Sequence, residues 1–187
     1  RVRLTQGERR ESLIAHELSH QWYGDLLTCR SWREMWLNEG FASFMTTDWM
    51  MQTRGEGAQA ASLRRWRDAS LGERHSLSLR FHRPDGEPDG HRVYAKGATV
   101  LHMLRVMLGE DRFWAGMQRY TRDNAHGSVE TVDLERAMEE GTGRDLDWFF
   151  QQWVELPYVP RLKVRSGFDG ERLTISVDQL TAGGITA

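Results

Sequence analysis

The 187-residue sequence predicts a mainly α-helical domain with a short β-hairpin at its C-terminal end. Three observations carry that prediction. Apolar residues recur at helical spacing through most of residues 1–156, with Thr, Asp and Gly where helices start and stop. The stretch "RLKVRSGFDGERLTISVDQL" instead alternates apolar and polar residues around Asp169-Gly170, the pattern of two strands joined by a turn. With 39% hydrophobic and 28% charged residues the chain has the composition of a globular protein, so these patterns have a core to build.

In chain order, Thr5 and Glu8 read as a capping box, and a helix follows with Leu13, Ile14, Leu18 and Trp22 as its apolar stripe and Gly24 as its stop. Residues 25–35 read as irregular. A second helix is expected from about Met35 to Thr53, ending at Gly55, with Trp36, Leu37, Phe41, Phe44 and Met45 on its buried side. A third covers 58–72. Residues 82–92, with two prolines and two glycines, read as a loop. The helix of "AKGATVLHMLRVML" should end at Gly109, and Asp111 should cap the next, which buries Phe113, Trp114, Met117 and Tyr120. Thr131 and Asp145 read as caps of two more, the last burying Leu146, Phe149, Phe150 and Trp153.

Bulk properties narrow the function. The net charge is −2 and no basic stripe accompanies the tryptophans, so no nucleic-acid partner is expected; Trp22, Trp36, Trp49, Trp114, Trp148 and Trp153 fit core faces better than a stacking platform. No apolar run approaches the ~20 residues of a membrane span, so no membrane partner is expected either. Cys29, the only cysteine, excludes an intrachain disulfide and a cysteine-based zinc knuckle. With no signal peptide visible, the sequence leans to the cytoplasm over secretion and leaves the compartment otherwise open. The chain starts at Arg1 and stops in "TAGGITA", and reads as a piece of a longer protein: residues 1–156 a helical part, residues 157–187 the truncated start of a following β domain.

The chemistry is concentrated in "IAHELSHQWYG", residues 14–24. On a helix His16 and His20 lie on one face a turn apart, where two imidazoles can converge on one zinc ion. Glu17, rotated about 100° from His16, is poorly placed as a ligand but within reach of a water beside the metal, the general-base position of H-E-x-x-H hydrolases. Histidines four apart also arise by chance. A zinc site needs a third ligand, and Glu39 in "WLNEGFASF" stands among apolar residues where an unpaired carboxylate would be costly. A carboxylate held by the helix dipole is the competing reading, and spacing does not decide between them.

His16-Glu17-Leu18-Ser19-His20, eighteen intervening residues and then Glu39 in "WLNEGFA" together resemble the gluzincin aminopeptidases, the zinc family of alanyl aminopeptidase and leukotriene hydrolase. The resemblance extends over Gln21-Trp22-Tyr23-Gly24-Asp25, where the family usually has Asn at the last position. It continues at Tyr94-Ala95-Lys96-Gly97 and, more loosely, through residues 113–154. It implies the helical lobe of a thermolysin-like zinc peptidase catalytic domain, with one Zn2+ on His16, His20 and Glu39, Glu17 as catalytic base and Tyr94 as oxyanion donor. Taken alone, Tyr94 reads as a core tyrosine; its context reverses that. Lys96 is open between substrate contact and structure, leaning to structure. His75, His82, His91, His102 and His126 lack ligand spacing and read as surface or packing residues.

The implied activity is removal of N-terminal residues from a peptide substrate. A thermolysin-type endopeptidase, an epoxide hydrolase or an inactive scaffold are the alternatives, because the family's amine-anchoring Gly-x-Met-Glu-Asn segment does not occur in these residues; Met138-Glu139 lacks its Gly and Asn. The isolated chain is accordingly expected to be weakly active or inactive, and to cover exposed apolar surface by self-association.

Overall fold

A computed structural model describes residues 5–71, 92–156 and 160–180, the side chains of Glu8, Leu71 and Arg92 apart. Expectations for the 82–91 loop and for His75, His82 and His91 lie outside the described residues. Helix α1 (Gln6–Ser19) leads into strand β1 (Leu27–Cys29) and a 3₁₀ turn (Trp32–Glu34). Helices α2 (Trp36–Arg54) and α3 (Glu56–Leu71) follow. A π-helical turn (Arg92–Lys96) runs directly into α4 (Gly97–Leu108), and α5 (Glu110–Asp123) comes next. Strand β2 (Gly127–Val129) precedes α6 (Thr131–Thr142), and α7 (Asp147–Phe150) continues as a π-helical turn through Glu155. Strands β3 (Arg161–Phe168) and β4 (Leu173–Leu180) form the antiparallel hairpin expected from the alternation. Its turn runs over 169–172, with Gly170 at φ 104° and the Asp169 carboxylate accepting from the Glu171 and Arg172 amides.

Helix α2 is the axis of the core. Trp36, Leu37, Phe41 and Phe44 are at most 2% exposed and meet Leu101 and Leu104 of α4, Phe113 and Tyr120 of α5 and Leu134 of α6 in one apolar cluster. Aromatic rings tile it: Phe41 lies 4.6 Å from Tyr23 and 5.6 Å from Tyr120, and Phe44 lies 5.4 Å from Phe113. Such pairs add directional contacts to the burial of the rings.

Two glycines set how α4 crosses α2. A Cβ built on Gly40 would lie 2.9 Å from Gly97 Cα and 3.2 Å from the Val93 carbonyl; one on Gly97 would lie 2.9 Å from Gly40 Cα. The helices therefore touch backbone to backbone, which no larger residue permits. About two turns from that contact, Asp48 and Arg105 pair at 2.6 Å with both side chains 9% exposed. Arg105 also donates twice to Glu110, and its guanidinium lies 5.4 Å from the Trp114 ring. A third tie joins the starts of α2 and α6. Trp36 Nε1 donates to Thr131 Oγ1 at 3.0 Å, and the Thr131 hydroxyl and amide donate to Glu34.

The sequence expectations need several corrections. Helix α1 ends at Ser19, not at Gly24, because its last amides bond three residues back: His20 to Glu17, Gln21 to Leu18 and Trp22 to Ser19. Its stripe is not core: Leu13, Ile14, Leu18 and Trp22 are 54–60% exposed, and of the other tryptophans expected on core faces Trp49 and Trp148 are exposed as well. Residues 25–35 are not wholly irregular, since β1 pairs in parallel with β2. Asp111 lies inside α5, whose N-cap is Gly109, and Thr131 is the first residue of α6, whose N-cap is Glu130. Asp145 does accept the Asp147 amide, but it lies one residue before the N-cap of α7, which is Leu146.

Gly40→Ala should lower stability by ~1–3 kcal/mol, the usual cost of overpacking a tight contact, read as a lower urea midpoint. Arg105→Ala should cost more, ~3–5 kcal/mol, because it leaves the buried Asp48 carboxylate without its cation. Replacing Asp48 and Arg105 together by apolar residues should recover much of that loss in the same titration.

Candidate metal centre

The tightening of the last turn of α1 leaves His20 just beyond the helix yet still one turn from His16. The two rings lie 4.9 Å apart and almost perpendicular, at 87°. Two backbone devices hold His20 there. Its Nδ1 lies 3.0 Å from the Tyr23 carbonyl. A carbonyl only accepts, so in the neutral ring Nδ1 carries the proton and Nε2 is left with a free lone pair. That carbonyl is anchored in turn by the buried Tyr23 side chain, which packs on Phe41 and reaches Thr121. Gly24 makes room for the ring: a Cβ there would fall 2.9 Å from the His20 carbonyl oxygen and 3.3 Å from Nδ1.

Glu39 enters from the first turn of α2. Its Oε2 lies 3.1 Å from His16 Nε2 and 3.4 Å from His20 Nε2. One donor atom from each of the three residues falls within 4.8 Å of the others, and all three side chains are half-buried. The competing reading of Glu39 as a helix-start carboxylate holds as well. It sits at the positive end of α2, and that dipole and the imidazoles favour the same charge.

Tyr94 comes from the π-helical turn that leads into α4. Its ring stacks on His16, centroids 5.8 Å apart at 22°. Burial, then the Glu39 charge and a hydrogen bond to Glu39, then the Glu17 charge push the phenol up to about 12. At neutral pH Tyr94 is therefore a neutral O–H donor. Burial pushes the Glu39 carboxyl up, but the His16 hydrogen bond, the His20 charge and the Tyr94 hydroxyl together bring it below the ordinary carboxylate range. Glu17 is exposed and outside the three-residue cluster, with its charge acting on Tyr94.

A metal fits this donor set. Two imidazoles and one carboxylate are the complement of a His2Glu zinc site. The lone pair of His20 Nε2 and the anionic Glu39 oxygen approach within 3.4 Å and repel each other unless a proton or a cation lies between them.

All five residues singled out in the sequence thus lie in one place. His16, His20 and Glu39 converge, Tyr94 stacks on His16 and bonds to Glu39, and Glu17 is near enough for its charge to act on Tyr94. Lys96 is buried, 5% exposed, and His102 and His126 lie away from the centre, with His126 in the left-handed region at φ 63°. Sequence reasoning missed the Tyr23 carbonyl, because a backbone acceptor has no residue-type signature. It also missed the space that Gly24 provides, although Gly24 stood out as a helix stop.

Comparison with known proteins identifies the family. The family model described as "Peptidase family M1 domain" matches residues 2–153. Tricorn protease-interacting factor F2 of Thermoplasma volcanium is 31% identical, the match spanning 91% of this chain and 23% of that protein. Aminopeptidase N of Lactococcus lactis is 33% identical, over 79% of this chain and 19% of its own length. The chain thus spans about a fifth to a quarter of these relatives. Among solved structures, an M1 zinc metallopeptidase from Deinococcus radiodurans superposes with a TM-score of 0.71 at 28% identity, covering 85% of this chain and 36% of that one. With the matched model covering most of the described helices, the chain belongs to peptidase family M1.

Proposed function

We infer that the chain is the helical part of a zinc aminopeptidase and carries its hydrolytic centre. The observation behind this reading is the convergence of His16, His20 and Glu39 within 4.8 Å, with Tyr94 donating to the same carboxylate. Names of relatives, aminopeptidase N among them, favour removal of N-terminal residues over internal cleavage. His16, His20 and Glu39 would hold one Zn2+, which when bound supplies a Lewis acid that polarises a carbonyl and acidifies water.

The chain's own groups would do the rest. Glu17, exposed and unencumbered by the cluster, takes a proton from water and returns it to the leaving amine. Tyr94, neutral because its phenol is pushed to about 12, donates a hydrogen bond to the oxygen on which negative charge develops. The Tyr23 carbonyl fixes the tautomer of His20, leaving Nε2 free to ligate. The bond from Tyr94 to Glu39 holds the phenol ready until a substrate oxygen competes for it.

Variant kinetics of a zinc-loaded longer protein that contains these residues, assayed on aminoacyl anilides, test these roles. Glu17→Gln should retain zinc and lose nearly all turnover, since an amide accepts no proton. Tyr94→Phe should retain zinc and lower kcat by ~10²-fold or more, the usual cost of one oxyanion donor. An unchanged kcat in Tyr94→Phe would make the tyrosine a packing residue.

A further inference from the structure

Beside His16 and Tyr94, a pocket of about 360 Å³ opens between α1, α2 and α3. The volume lies within the range of small ligand sites. Its lining is selective in charge. Arg9 from α1 and Arg65 from α3 contribute two guanidinium groups, and among the described residues no Asp or Glu lines it. Among the described residues neither arginine is in an ion pair, unlike Arg54, Arg105 and Arg119 elsewhere in the chain. Arg65 is steered by Ser62, which is 2% exposed and accepts from Arg65 Nη2 at 3.0 Å. Thr47, 5% exposed as a residue, adds to the wall a hydroxyl that makes no hydrogen bond among the described residues. Leu13, Met50 and Trp66 supply carbon surface behind these groups.

A cavity with two unpaired cations, spare hydroxyl donors and an apolar wall is complementary to a short aliphatic chain ending in an anion. It also touches two residues of the hydrolytic centre, so its occupant must adjoin the reacting bond. We propose that this pocket receives the carboxylate side chain of an Asp or Glu flanking the scissile bond, with Arg65 as the main specificity-determining residue and Arg9 as its partner. The assignment rests on the peptidase reading for the word scissile, and on the pocket alone for the preference for acid.

The test is a calorimetric titration of the zinc-loaded Glu17→Gln chain, chosen because the substitution is expected to abolish turnover. Ala-Glu-Ala and Glu-Ala-Ala are each compared with the Gln twin, so that both positions beside the bond are sampled. In at least one pair the Glu peptide should bind about fivefold tighter or more, the scale of solvent-open ion pairs to two arginines. Adding Arg65→Gln should bring that ratio close to one, Arg65→Glu should invert it, and high salt should collapse it without any substitution. Equal binding of both twins in both pairs, no binding of any peptide, or a ratio that persists in high salt would overturn the assignment. Cleavage of trialanine by an unsubstituted, zinc-loaded longer protein that contains these residues is measured beside it. Cleavage without an acid preference removes the pocket assignment alone; an acid preference in a protein that cleaves nothing keeps the assignment and removes the peptidase reading.

Discussion

The backbone contact between Gly40 and Gly97 is the constraint on which the rest of the arrangement depends. Gly40 follows Glu39, and Gly97 comes three residues after Tyr94. Where the two glycines meet, the carboxylate on α2 and the phenol at the head of α4 are brought to the same side of the crossing. A side chain at either glycine would force the helices apart by a good part of its own size, and Tyr94 would move away from Glu39. The large core residues Trp36, Phe41 and Phe44 explain why α2 is buried. They do not explain why α4 lies so close to it, and the glycines do.

Around that crossing the polar groups are arranged so that one charge answers another. Glu39 stands on a half-buried helix start, where a carboxylate without partners would be costly. Two imidazoles, a phenolic hydroxyl and the positive end of α2 face it, and its carboxyl is held below the ordinary range despite the burial. Together with burial, the same carboxylate raises the Tyr94 phenol. Another buried carboxylate, Asp48, is answered by Arg105 and, among the described residues, takes part in no comparable cluster. One acid thus joins helices structurally, while the other gathers groups able to hold a cation.

Long periodic segments were readable because their pattern has a single physical cause, burial of one helical face. That holds for α2, α4, α5 and α6, and the β3–β4 hairpin was readable from its strict alternation. Helix α1 shows where the same reasoning stops. Its stripe of Leu13, Ile14, Leu18 and Trp22 has helical spacing, but spacing does not say what covers a face, and here the face is open. Its end at Ser19 escaped because three-residue hydrogen bonds in the last turn leave no mark in residue type. The three-residue pairing of β1 with β2 is too short to have a period. At the centre itself the ligand candidates were legible from spacing and family likeness. The Tyr23 carbonyl that orients His20 was not, and neither was the pocket formed by Arg9 and Arg65, whose residues are scattered over three helices.

The central claim is that His16, His20 and Glu39 form one metal site. Metal analysis of the purified chain after zinc loading and exhaustive dialysis, with folding checked by circular dichroism, tests it most directly. The account predicts one zinc per chain and its loss in His16→Ala, His20→Ala and Glu39→Ala. A folded chain that takes up no zinc, or a Glu39→Ala variant that keeps a full equivalent, would contradict it.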